Sequence, residues 1–307
     1  MGESDVTTRP AKTAWLTEEE RGSILAIRFL VLLCNLFGRT LARAFVHVLM
    51  IYYTAASGKA RAASRAWLTR AFGRPATLLE VYRHLTTFAL VALDRIFLLQ
   101  GKPGLFEIES HGTEHLRKLS DERKGAILLG AHIGSFEAMR AQGSGHGYDI
   151  HVLAYLENAR KITAVLAALD PEMQGRVIAL GSVDALFRAR DVLENGAMLA
   201  LLGDRTGLNE KQALVDFCGQ KAPFPTGPFL LAHSLRCPVY LVFGVYRGRN
   251  RYDVYCEPFA ERIQLDRRDR QASVEQYVAA YAKRVEHIAL AHPYNWFNIY
   301  DFWNPGG

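Results

Sequence analysis

From Arg21 to Leu79 the chain contains no aspartate or glutamate, whereas Arg21, Arg28, Arg39, Arg43, Lys59, Arg61, Arg65, Arg70 and Arg74 are all basic. The same stretch holds two apolar blocks, FLVLLCNLFG at 29–38 and AFVHVLMIYYTAASG at 44–58. Neither block reaches the run of about 18 apolar residues that a spanning helix needs, and Arg39 and Arg43 interrupt the join between them. The expectation is a monotopic anchor: arginine stems lie along the acyl boundary and guanidinium groups sit among anionic headgroups. An amphipathic helical layer over the core, with surface arginines, is the alternative reading of the same pattern.

The rest of the composition narrows the class. A chain of 307 residues with 50% hydrophobic and 22% charged side chains is not disordered, collagen-like or of low complexity. A net charge of +6 is mild for this size, and no nucleic-acid partner is expected. Cys34, Cys218, Cys237 and Cys256 are scattered without a C-x-x-C pair, so neither a disulfide framework nor a zinc site is expected. The opening MGESDVTTRPAKTAWLTEEER lacks the pattern of a signal peptide, and Val6 stands where a myristoylation motif needs Ser or Thr. The bulk of the protein is therefore expected on the cytoplasmic side of a membrane, as a peripheral or monotopic protein.

Three regions follow from texture: a polar tail at 1–20, a basic, apolar helical region at 21–104, and an α/β core at 105–307 integrated with the preceding helices. In the core, LFEIES, GAILLGA, IHVLAYL, RVIALG, MLALLGD, CPVYLVFGVYR and YDVYCEPF read as strands, with amphipathic helices between them. Apolar strands each followed by a turn and a helix predict an α/β fold with a central, mostly parallel sheet flanked by helices. Catalytic groups then belong just past the strand ends.

KGAILLGAHIGSFEAMRAQG is the most informative segment. An apolar strand ends near Ala131, His132 follows, and Gly134-Ser135 opens a helix. Positions five apart in one helix do not face each other, but a strand-to-helix junction removes that obstacle. With Ser135 near the N-cap, Glu137 falls in the first turn, from which it is expected to reach back to Nδ1–H of His132. Nε2 is then free as a general base. No G-x-S-x-G nucleophile elbow is present, so a hydroxyl of the substrate itself would have to attack.

Around this segment the chain resembles the lysophospholipid acyltransferase superfamily, in the branch of the late acyltransferases of lipid A biosynthesis and related predicted acyltransferases. The resemblance runs through the basic N-terminal helices, GAHIGSFE as the H-x4-[DE] motif, MLALLGDRTG as a strand with an acidic turn, VDFCGQKAPFPTGPFLLAHSLRCPVYLVF, and the tail PYNWFNIYDFW. It implies a glycerol-phosphate-acyltransferase-like fold. It also implies transfer of a fatty acyl group from an acyl carrier protein or coenzyme A thioester to a hydroxyl, or occasionally an amine, of a membrane lipid or glycolipid. No metal or other cofactor is implied. His132 would be the general base and Glu137 its orienting carboxylate. Asp204 matches the acidic turn, and Arg205 either holds a phosphate or sugar group or pairs with Asp204. Thr226 and Gly227 head an apolar helix that either stabilises an anion or is capped in the ordinary way. The lipid A enzymes have an acidic pair where this chain has Asp-Arg. Their following Tyr-Arg is replaced by YLENARK, where Arg160 is a stand-in. The acceptor therefore stays open among lipid A, aryl polyene, ornithine-type and other lipids.

Two alternatives belong to other classes: a catalytically silent acyl-chain-binding protein, and a thioesterase that uses water as the acceptor. Of the remaining motifs, GSGHG at 143–147 follows a helix-like segment and is read as a loop. His111 and His115 are read as the start of a surface helix, and the aromatic tail is read as core.

Overall fold

The computed structural model describes residues 24–154, 169–170, 175–182, 184–206 and 210–304. Arg160 and the rest of the YLENARK segment lie outside the described residues. The chain opens with three helices, α1 (Ile24–Ala56), α2 (Gly58–Phe72) and α3 (Leu78–Leu99). After these come β1 (Glu107–His111), α4 (Glu114–Asp121), β2 (Ala126–Gly130), α5 (Phe136–Gly145), β3 (Ile150–Ala154) and β4 (Val177–Ala179). Next are α6 (Ala185–Glu194), β5 (Met198–Leu202), β6 (Gln212–Phe217), β7 (Gln220–Pro225) and α7 (Gly227–Leu235). The chain closes with β8 (Val239–Gly248), β9 (Arg251–Ala260) and α8 (Arg270–Ala291).

Seven strands form one sheet in the order β1-β9-β8-β2-β5-β3-β4, in which the β8–β9 hairpin is antiparallel and the other pairings are parallel. This is the α/β fold expected from the alternation of apolar strands and helices. β2 lies at the centre between β8 and β5, and every one of its residues is buried, as the unbroken apolar run AILLG requires. β6 and β7 form a separate antiparallel ribbon that the sequence reading did not contain. Pro223 and Pro225 argue against a strand, but a two-stranded ribbon has edges on which a missing N–H is tolerated. Its turn places Cys218 and Gly219 both at positive φ, the arrangement that lets a two-residue turn follow the twist of its strands.

α1 is broken at Gly38, whose φ of 70° is outside the helical range. It packs along a narrow face in which Cys34, Ala42, Val46 and Met50 are buried at four-residue multiples, while Phe29, Leu36, Phe37, Leu41, Val48, Ile51 and Tyr52 are exposed. Residues 29–56 are long and apolar enough to cross a membrane by length and composition. This corrects the expectation that Arg39 and Arg43 interrupt the apolar run at a headgroup surface, because both guanidinium groups turn into the protein. Arg39 forms a bidentate pair with the fully buried Asp94 of α3, with both N–O distances at 2.8 Å, and Tyr252 also donates to that carboxylate. Arg43 donates to Tyr246 and to the carbonyl of Arg249. Arg61 caps the end of α1 through the carbonyls of Thr54 and Ala55, Arg70 lies over Trp303, and Arg74 pairs with Glu80. Much of the positive charge of this region is therefore structural.

The helical layer and the C-terminal tail meet at His84, which is completely buried. Its Nε2–H donates to the carbonyl of Trp296, and the hydroxyl of Ser64 donates to Nδ1. Trp296 packs against Trp67, Phe217 and Phe302, so the aromatic tail is core, as its density of rings suggested.

Two outcomes follow. Arg39→Ala leaves a buried, uncompensated Asp94 and is expected to cost about 3–5 kcal/mol in denaturant unfolding in detergent, whereas the paired change Arg39→Met with Asp94→Leu costs less. Burial holds His84 down at about 4, against an ordinary value near 6.5. The unfolded chain thus binds the proton first as pH falls, and stability that is complete above about 6.5 is lost progressively down to about pH 4, by roughly 3 kcal/mol. A His84→Leu variant is expected to lose that slope in the same pH series.

Candidate active site

The register of the sheet builds the site. β2 and β5 run parallel as neighbours, with Gly130 beside Leu202. The ladder continues one step beyond both strands, where Gly203 N–H donates to the Gly130 carbonyl at 3.0 Å. The residues two past each strand end, His132 and Asp204, consequently emerge side by side at the carboxyl edge of the sheet. The His132 backbone N–H donates to Asp204 Oδ2 at 3.0 Å, and its ring Nδ1 lies 2.7 Å from Asp204 Oδ1.

This corrects the partner assigned from sequence spacing. Glu137 does sit in the first turn of α5, behind Ser135 as N-cap, whose Oγ accepts from the Ala138 N–H. Its carboxylate, however, pairs with Arg95 Nε of α3 at 2.6 Å, while Asp204 takes Nδ1 of His132. Nδ1 thus faces the end of the neighbouring strand β5. The chain turns sharply between His132 and α5 because Gly134 has φ +60° and lies directly against the backbone of Gly244, where a side chain would collide with that carbonyl. Ser135 N–H donates to Gly244 O at 2.7 Å and Gly134 N–H to Asn295 O at 2.9 Å, which fixes the turn to β8 and to the tail.

Asp204 is fully buried, yet it is charged. Burial pushes its carboxyl up, but the imidazole, its N–H donors and Arg205 outweigh burial and hold it down at about 2. Asn298 adds a donor, Nδ2 to Oδ2 at 2.8 Å. An ionised carboxylate only accepts, so Nδ1 of His132 carries the proton and Nε2 carries the lone pair. Burial, and then the charge of Arg205, lower the pKa of His132, with Asp204 opposing them. The imidazole is accordingly neutral near pH 7. Its side chain is 27% exposed, and Nε2 has no hydrogen-bond partner among the described residues. Tyr281 of α8 braces the strand end by donating to the Gly130 carbonyl at 2.7 Å, and Phe297 N–H donates to the His132 carbonyl at 2.8 Å.

The other sequence-predicted residues have distinct places. Asp204 is not at a substrate surface, since its oxygens are committed to His132 and Asn298. Arg205 is tied to the tail, with Nε donating to Asn298 Oδ1 at 2.6 Å, a second nitrogen to the Phe297 carbonyl at 3.0 Å, and the guanidinium over the Tyr300 ring. The hydroxyl of Thr226 donates to the Lys211 carbonyl and makes no side-chain cap. Gly227 lies under the Glu210 side chain, whose carboxyl group a Cβ at Gly227 would meet. His111 ends β1, which corrects its reading as a helix start. Together with Glu109 and Asp253 it places ligand-type atoms within 4.8 Å of one another, although Asp253 also pairs with Arg247 at 3.2 Å. Arg95 and Tyr281 were not found from sequence, because each comes from a segment remote in the chain and carries no motif of its own; Asn298 lies within the tail PYNWFNIYDFW but was passed over among its aromatic rings.

If Asp204 fixes the tautomer, Asp204→Asn is expected to move the imidazole proton to Nε2, as read from the ring 15N shifts of His132. Glu137→Gln is expected to leave those shifts in place.

Comparison with known proteins agrees in outline with the sequence resemblance. The family model described as bacterial lipid A biosynthesis acyltransferase matches residues 25–304. No individually curated protein matches the chain.

Proposed function

Because the chain belongs to the bacterial lipid A biosynthesis acyltransferase family, whose members carry acyl groups to lipids, we propose that His132 is the general base of a direct acyl transfer from a thioester to a membrane-lipid hydroxyl. The observation that carries this reading is the imidazole at the strand edge, held through Nδ1 by a buried carboxylate and partly exposed. Nε2 takes the proton of the acceptor hydroxyl, and the oxygen attacks the thioester carbonyl. The tetrahedral intermediate collapses to an ester, and the expelled thiolate takes the proton back from the imidazolium. Asp204 stabilises the imidazolium between these steps, as in hydrolytic triads. Glu137 acts from the first turn of α5 through its pair with Arg95 of α3, as a support of the turn that carries the base. Arg205 and Arg160 are kept as candidates for the acceptor's headgroup, and Thr226 and Gly227 as a weaker candidate for the oxyanion.

The donor is an acyl carrier protein or coenzyme A thioester, and no metal or other cofactor takes part in the step. A small cavity of about 40 Å³ between the sheet and α4 and α5, lined by Leu116, Leu128, Phe136, Met139, Val242 and Cys256, has the apolar lining that suits an acyl chain. Phe136 of that lining is four residues beyond the base. The protein acts at the cytoplasmic face of the inner membrane, with the exposed apolar face of α1 in the bilayer and one narrow face of the same helix against α3.

Single-turnover acyl transfer tests the reading. His132→Ala is expected to lose about 10²-fold or more, and a rate near that of the unchanged protein would reject the base. Acylated lipid is the expected product. Release of free fatty acid without acylated lipid would instead identify a thioesterase.

A further inference from the structure

Asn298 belongs to the aromatic C-terminal tail, is buried, and sits between the two charged neighbours Asp204 and Arg205. Its side chain faces both. The amide nitrogen donates to Asp204 Oδ2 at 2.8 Å, and the amide oxygen accepts from Arg205 Nε at 2.6 Å. Only a group with a donor at one end and an acceptor at the other can do this, because a carboxylate only accepts and a guanidinium only donates.

We propose that Asn298 is a positioning residue for the base, keeping Asp204 turned toward His132 and Arg205 turned toward the tail. This rests on the role of His132 argued above. Adjacent opposite charges in a buried place attract strongly, and without the amide the guanidinium would compete with the imidazole for the carboxylate. With it, Oδ2 is shared between the Asn298 amide and the His132 backbone N–H, and Oδ1 is left for Nδ1. The backbone around the amide is equally fixed. Trp296 O accepts from His84, and Phe297 N–H donates to the His132 carbonyl. The tail thus reads the position of the base and of its carboxylate at once.

The charged and titratable groups around the imidazole come from several elements. Asp204 and Arg205 follow β5, Tyr281 lies on α8 and Tyr300 in the tail, and the Glu137–Arg95 pair joins α5 to α3. Removing the Asn298 amide frees Arg205 to draw Asp204 away from the ring, so the imidazolium loses its counter-charge and His132 should bind its proton less tightly.

The test uses the full chain in detergent with 15N-labelled histidine, alongside acyl-transfer kinetics. Asn298→Ala is expected to lower kcat by about tenfold to a hundredfold and to change KM by less than about twofold. The acid limb of the kcat profile and the titration of the His132 ring should both move down by about 0.5 pH unit or more. Asn298→Leu keeps most of the volume and removes both ends of the amide, so it serves where the alanine variant folds poorly, and it should move the ring titration in the same direction. Unchanged ring shifts and an unchanged acid limb in a folded variant would overturn the positioning role. The ring titration needs no turnover. It therefore separates failure of this inference from failure of the acyltransferase chemistry, which would show as full activity in His132→Ala.

Discussion

The hydrogen bond between His132 and Asp204 depends on the parallel pairing of β2 with β5. Parallel strands in register deliver the residues that follow them to the same edge of the sheet, two steps beyond Gly130 and Leu202. Everything else at the edge serves that coincidence. Tyr281 holds the Gly130 carbonyl, Gly134 and Gly244 let the turn lie against β8, and the tail closes over the carboxylate. A shift of one residue between the two strands would turn the imidazole and the carboxylate to opposite faces.

The electrostatics follow from the same packing. A carboxylate with almost no access to water is costly unless it is hydrogen-bonded and paired, and Asp204 meets that condition with donors from His132 and Asn298 and a nearby guanidinium. Its charge makes the imidazole tautomer unambiguous. The same environment, by burying the ring and setting Arg205 nearby, disfavours a permanently charged histidine. A neutral base with a pre-built counter-charge suits a proton that is taken up and returned within one turnover.

The sheet strands, the Ser135 cap and the partly exposed imidazole were legible because each rests on local pattern: apolar runs of five, a serine before a helix, a polar residue at a strand end. The identity of the carboxylate was not. His132 and Asp204 are 72 positions apart, and only the strand order brings them together, which no periodicity encodes. Glu137 was the nearest acid in the chain and won the sequence reading on proximity alone, yet its helix turns it toward Arg95. The arginines at 39 and 43 misled for the opposite reason. Positive charges beside apolar blocks look like headgroup contacts until the buried Asp94, 55 residues after Arg39, is seen to claim one of them. The β6–β7 ribbon was hidden by its prolines.

The Arg39–Asp94 pair has a mechanical meaning as well. α1 presents its greasy side outward while its guanidinium groups are bolted through α3 to Tyr252 and the β8–β9 corner, and β8 is the strand on which the turn beyond His132 rests. The part that would sink into lipid and the part that would do chemistry are therefore rigidly coupled. If α1 seats in lipid as proposed, the height of the imidazole above the bilayer is set like the depth stop of a drill, so an acceptor would be reached by rising out of the leaflet to a fixed level rather than by the enzyme bending down to it.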